Sequence, residues 1–393
     1  MTSIKPGFLL RLVTLGRLFE ITMALRPHPP GAWRLMSSLG KIVAFAAFLS
    51  ACQQYPPALQ AGPPPSNCPV ITNVEIVSQV DSNGNPDASR KFVRQEQQVT
   101  MYAIVTTESG VRFTSAPLRS KKNVKDGDHW PAECPVSLQW YKVEAQVESY
   151  NNAYSAPPAE ILMEETTWKS GWSTTADVHP TLMHDEFADD KSGLGTMRFK
   201  VTANLPDGTS HSSPGIESRE TGAPDRKIHT VVYRKDNSYI GYLYELYNTP
   251  YIYGSKRIKG GHQSDLQVGS DCADLTIYAK RRQRGKKRFP YTYTGGLRKY
   301  AARYWRISLD DQNYYLDKKG KRMSFGEGKT IRPGDLINFD AGHVGILIKD
   351  DGDGFLDLDD FVMHTLVREP ETVPIKDCRW GGIDGKEIIR LKD

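Results

Sequence analysis

Between residues 68 and 226 the chain carries almost no helical periodicity, and this restricts its fold more than any other feature. Apolar and polar residues instead alternate over 70–80, 98–107, 137–147 and 196–203, the period-two pattern of half-buried strands. The segments TMYAIVTTESGVRFTSAPL, QWYKVEAQVESYNNAYSAPP and TMRFKVTANLPDGTSHSSPG repeat one design. Each has an aromatic and β-branched strand, a polar turn with Gly or Asn, and a second run ending in Ser-x-Pro, at 115–117, 155–157 and 212–214. A helix would scatter such residues around its circumference, so the pattern predicts a strand meander.

The strand spacing predicts one or two β-sandwiches of immunoglobulin or fibronectin type, at 68–158 and 159–226. Trp140, in an alternating strand, is expected in the core, whereas Trp168 and Trp172 of WKSGW are candidates for exposed stacking surfaces. After the linker at 222–225 the pattern changes, and 227–393 reads as an α+β domain. A helix is expected over 238–247, capped by Ser238 and stopped before Pro250, a second from Cys272 into Lys280-Arg281-Arg282, and a third over 296–305. Strands are expected at 336–339, 343–348, 361–367 and 386–391. With 51 basic and 46 acidic residues, composition gives no reason to expect a nucleic-acid partner. The basic runs at 280–287 and 318–322 are expected to be solvated faces.

The apolar run IVAFAAFLS at 42–50 is too short to span a bilayer as a helix and follows Arg26, Arg34 and Lys41, as in a secretory signal. It ends in Leu49-Ser50-Ala51-Cys52, which resembles the lipobox of bacterial lipoproteins and implies a signal peptide over 1–51 and acylation of Cys52. Met23 or Met36 would give a signal of more usual length. Gln53 after the cysteine resembles the outer-membrane sorting pattern, and the proline-rich stretch 52–67 reads as a tether. Outside the cytoplasm a Cys68–Cys134 disulfide is allowed. That leaves Cys272 and Cys378, whose pairing is the alternative that would block a nucleophile at 272.

Cys272 follows the turn-forming Gly269-Ser270-Asp271 and opens a predicted helix capped by Asp271, a position where unpaired N–H groups and the helix dipole favour a thiolate. His343 opens one strand and His364 lies on the next, so a hairpin puts both imidazoles on one face. Together these residues make a nucleophile, a base and an orienting group.

The ordered motifs PYIYG, DCADL, PGDLINF, HVGILI and a histidine on the following strand resemble the NlpC-type cell-wall peptidases over about 238–390. The resemblance implies a papain-like fold that cuts peptidoglycan stem peptides, with Cys272 as nucleophile, His343 as base, His364 as third polar residue, and Tyr251 and Asp271 beside the substrate. It implies no cofactor. Ala273-Asp274 stands where the family usually has Ser-Gly, so the Asp274 carboxylate either faces solvent or raises the thiol pKa and contacts substrate. The expected protein is a lipid-anchored cysteine endopeptidase or amidase of the bacterial envelope, at the outer membrane facing the periplasm, with peptidoglycan peptides and the membrane as partners. The alternatives are a papain-like amidase or acyltransferase acting elsewhere, and an inactive envelope-binding lipoprotein. The acidic run 350–360 also offers a weak calcium loop from Asp351, Asp353 and Asp360, opposed by Lys349 at the leading ligand position.

Overall fold

A computed structural model describes residues 68–120, 122–149, 161–182, 192–218, 227–254, 257–258, 261–285, 288–339, 342–378 and 385–393. The expected signal peptide, Cys52, the expected tether and the second Ser-x-Pro site lie outside these residues.

The alternating runs form the strands β1 (Ile71–Val80), β2 (Val99–Thr107), β3 (Ser137–Ala145), β4 (Met163–Ser170), β5 (Gly195–Asn204) and β6 (His229–Arg234). In one sheet β1 pairs antiparallel with β2 from Ile71↔Thr107 to Val80↔Val99, with short strands Asn83–Asp87 and Arg112–Phe113 beside them. In the other the order is Lys91–Arg94, β6, β5, β3, β4. Inward residues of both sheets, among them Val74, Met101, Trp140, Phe199 and Val201, share one apolar core. Cys68 and Cys134 are joined in a disulfide, with Cα atoms 5.6 Å apart.

The expected boundary at 158/159 is corrected by this pairing. β3 bonds to β4 and to β5, so strands from the two expected sandwiches belong to one sheet. β6 lies beyond the expected boundary at 226, yet it is an interior strand of that sheet, between β5 and Lys91–Arg94. The Ser-x-Pro segments at 115–117 and 212–214 do follow hairpins, made by β2 with Arg112–Phe113 and by β5 with Ser210–Ser212. Trp140 is fully buried as expected, but Trp168 and Trp172 are only partly exposed. Trp168 packs on Phe199 and Trp172 on Trp130, so neither ring is an open platform.

The C-terminal half begins with α1 (Tyr239–Leu243), whose first turn is closed by Gly241 N–H donating to the Ser238 hydroxyl at 2.9 Å. α2 (Cys272–Arg284) packs against α1 and against an antiparallel sheet built from β7 (Ala301–Arg306), β8 (Leu336–Phe339), β9 (Val344–Lys349), β10 (Phe361–His364), β11 (Glu371–Pro374) and β12 (Gly385–Leu391). The spatial order is β7-β12-β8-β9-β10-β11. Leu336, Val344, Ile346 and Met363 face the helices, while Ile337, Phe339, Leu347 and Val362 face a second core with Tyr315, Phe325 and Leu356. The helix expected over 296–305 is instead a 3-10 turn, Thr294–Tyr300, followed by β7. The four-residue spacing of Leu297, Ala301 and Trp305 mimics a helix, but β7 bonds to β12 from Ala301↔Leu391 to Arg306↔Glu387, and sheet pairing overrides the local pattern. The molecule is thus a multidomain mixed α/β protein with several sheets and few short helices.

The two halves share buried polar contacts. Glu245 is fully buried and accepts from Tyr278 Oη at 2.5 Å and from Arg282 Nε at 2.6 Å, while Arg234 of β6 lies 3.5 Å away. Arg281 forms a bidentate pair with Asp265. The basic run at 280–287 is therefore partly an internal anchor, which corrects the expectation of a wholly solvated face.

Candidate active site

Asp271 caps α2, its Oδ1 accepting from Asp274 N–H at 2.8 Å while Oδ2 accepts from Gly254 N–H at 3.0 Å. The same carboxylate thereby starts the helix and holds the turn after Tyr251. Segments 250–254 and 269–271 run side by side through a Tyr251↔Ser270 bridge, with Ile252 N–H donating to Ser270 O at 3.1 Å. Gly269 is required for this approach, because a Cβ there would lie 2.5 Å from Pro250 O. Tyr251 is buried, so its contribution beside the site is to the wall rather than to the surface.

Asp274 departs from both expectations. Its carboxylate is fully buried and accepts from Gln263 Nε2 at 3.0 Å, with His262 Nε2 at 3.8 Å. It clamps 261–267 onto the helix and presents no surface for a substrate. The carboxylate that acts on the thiol is Asp271.

Cys272 is buried at the first position of α2, and burial followed by the Asp271 charge pushes its thiol up to about 12. The N–H groups of Val344 and Ala273 and the Thr294 hydroxyl act in the opposite direction, but they do not prevail. The thiolate expected from helix position alone is therefore not the resting form. Thr294 Oγ1 lies 4.0 Å from the sulfur and donates to Gly342 O at 2.9 Å. Gly342 and Val344, the neighbours of His343, are thus both tied to the surroundings of Cys272.

His343 and His364 lie on one face of the sheet, and alternation puts that face with Phe339, Leu347 and Val362 of the second core, opposite the Val344, Ile346 and Met363 face that packs with α2 and Cys272. The structure brings the two imidazoles together but does not bring them onto the thiol. The register Ile346↔Met363 places His364 opposite Gly345, two residues beyond His343. Their rings meet edge to face, with His343 Nε2 3.1 Å from His364 Nδ1. Behind them Glu371, the register partner of His364 on β11, brings a carboxylate oxygen to 3.5 Å from His364 Nε2. Such a carboxylate favours the proton on His364 Nε2, leaving Nδ1 to accept from His343 Nε2–H and the lone pair of His343 on Nδ1. Burial holds His343 well below its usual range, helped by the neighbouring His364, and burial lowers His364 to about 4. At rest the thiol and both imidazoles are neutral.

Thr294 and Glu371 were missed in the sequence because each reaches the site from an element with no motif of its own. A carboxylate aligned with His364 across a short β10–β11 hairpin was the available signal. Tyr253 and Tyr293, 49% and 74% exposed, are the large aromatic side chains standing near 251 and 294. The acidic loop also differs from expectation: Asp360 is buried and its carboxylate accepts from Asp351 N–H at 3.0 Å and Asp357 N–H at 2.8 Å, so the converging carboxylates are Asp350, Asp351 and Asp353. Burial is the main cause that pushes Asp360 up to about 8, consistent with an internal rather than a cation-binding carboxyl. Cys272 and Cys378 are both thiols, not a disulfide. No protein-family model, curated protein or solved structure matches the chain.

Proposed function

We propose that the C-terminal half is a papain-like cysteine amidohydrolase of NlpC type, acting on amide bonds of peptidoglycan stem peptides. The observation that carries the reading is the His343–His364 pair, 3.1 Å apart at one end of the β9–β10 hairpin, where the N–H of Val344, next to His343, reaches Cys272 at the start of α2. In this reading the His343 ring turns from the second core toward α2, the Cys272 sulfur attacks the amide carbon as its proton passes to His343 Nδ1, and the imidazolium then protonates the leaving amine as the C–N bond breaks. His343 next takes a proton from water, which cleaves the thioester and releases the thiol. His364 and Glu371 hold the ring and stabilise its transient charge. Because thiol and imidazole start neutral, proton transfer accompanies attack rather than preceding it.

The immunoglobulin-like N-terminal half is read as a spacer, and the acylated Cys52 as the anchor to an outer membrane facing the periplasm. Tyr253 and Tyr293 are the candidate platform for the substrate. Incubating the protein with purified peptidoglycan fragments and mapping the products by mass spectrometry tests the substrate. An activated amide or ester tests the chemistry: the acyl group must be recovered on Cys272. Turnover by folded Cys272→Ala, or labelling of another residue, would overturn the reading.

A further inference from the structure

We infer that His343, His364 and Cys378 form a binding site for a zinc-class divalent cation. One ligand atom from each lies within 4.8 Å of the other two, and all three side chains are buried. The pair of nitrogens at 3.1 Å already has nearly the separation, about 3.3 Å, of two imidazoles on one tetrahedral zinc with bonds of about 2.0–2.1 Å. Two imidazoles and a thiol are the donors that such an ion prefers over calcium or magnesium. Glu371 stands behind His364 on the ring nitrogen away from His343, the outer position from which a carboxylate orients a ligating histidine. Cys378 belongs to the buried apolar cluster that also holds Val362, Val373 and Ile375, a low-dielectric setting in which a thiolate bound to a cation is strongly held.

The chemistry balances with little rearrangement. The proton on His343 Nε2 shifts to Nδ1, the Cys378 thiol loses one proton to solvent, and the cation takes the vacated lone pairs. His343 Nδ1 then carries a proton and accepts none from Cys272. The cation binding stands on these residues alone; the consequence, reversible inhibition, rests on the hydrolase reading above.

Cobalt(II) is the probe, because thiolate ligation gives a charge-transfer absorption in the near ultraviolet that does not depend on turnover. The expected result is a stoichiometric band in the full chain and in Cys272→Ala, lost in Cys378→Ser, with zinc displacing cobalt. Glu371→Gln is expected to weaken zinc by about 10-fold to 100-fold while the band remains. Circular dichroism establishes that each variant is folded. Absence of the band from folded full-length protein, or a band that survives Cys378→Ser and needs Cys272, would overturn the site. Failure to hydrolyse any amide would leave this outcome untouched.

Discussion

At Cys272 two effects oppose each other: the helix start favours a thiolate, while burial and Asp271 favour the thiol, and the second pair prevails. A small alkylating reagent is therefore expected to modify Cys272 about a thousandfold more slowly at neutral pH than an unperturbed thiol. The rate should climb with pH towards about 12, and Asp271→Asn should shift the profile to lower pH. The check is the labelling rate of the 272 peptide against pH. For His364 the sign is opposite. Its folded value of about 4 lies below the ordinary 6.5, so its contribution to stability, about 3 kcal/mol, is present above pH 6.5 and is lost as pH falls through 4. His229, buried and also lowered to about 4, adds in the same direction. Thermal melts from pH 7 to 4 should show a steep loss that His364→Asn makes shallower. In turnover, Cys272→Ala and His343→Ala should abolish the rate, whereas His364→Asn should retain a measurable fraction, because its loss removes positioning but neither reacting group. The placement of Cys272 at a helix start and of His343 and His364 at neighbouring strands was legible in the sequence because each residue sits at a recognisable element start or strand position. Glu371 and Thr294 were not, since their contribution depends only on which strand and turn are neighbours in space.

The elements explain where sequence reading held and where it slipped. β1, β2 and β3 were visible as alternating runs, and β5 as an aromatic and β-branched run although it is buried on both faces over most of its length. The 296–305 segment misled because a spacing of four fits both a helix face and alternate positions of a bulged strand, and β12, which decides between them, lies at the far end of the chain. Gly345 is a further point at which an element controls the site. A Cβ there would meet Val362 Cγ2 at 2.3 Å and His364 Cβ at 3.7 Å. Gly345→Ala should spread β9 from β10, destabilise the domain by about 1–3 kcal/mol and lower turnover more than substrate binding. Denaturant titration with separate kcat and KM measurements checks this, and an unchanged kcat in a folded variant would contradict it.

Across the whole molecule, the division that composition suggests at residue 226 cuts through a sheet. β6 belongs to the N-terminal half by hydrogen bonding, and Arg198 and Asn248 further tie the halves through Gln267 O, Val178 O and Leu194 O. A fragment of residues 227–393 is expected to be insoluble or molten, whereas 68–393 should unfold cooperatively; near-ultraviolet circular dichroism and dispersion of NMR signals distinguish the outcomes. Composition changes near residue 226 although β6 follows it: the first α-helix comes only at Tyr239, and the pairing partner of β6 is recorded nowhere in its own residues.

The disulfide has a mechanical consequence. Cys68 lies three residues before β1, and a pull there would peel β1 from β2 one hydrogen bond at a time. The crosslink hands the same tension to Cys134, whose carbonyl accepts from Trp130 Nε1 at 2.5 Å and which leads into β3 of the opposite sheet. Load applied at Cys68 is thus divided between both sheets, and β1 is spared from bearing it alone.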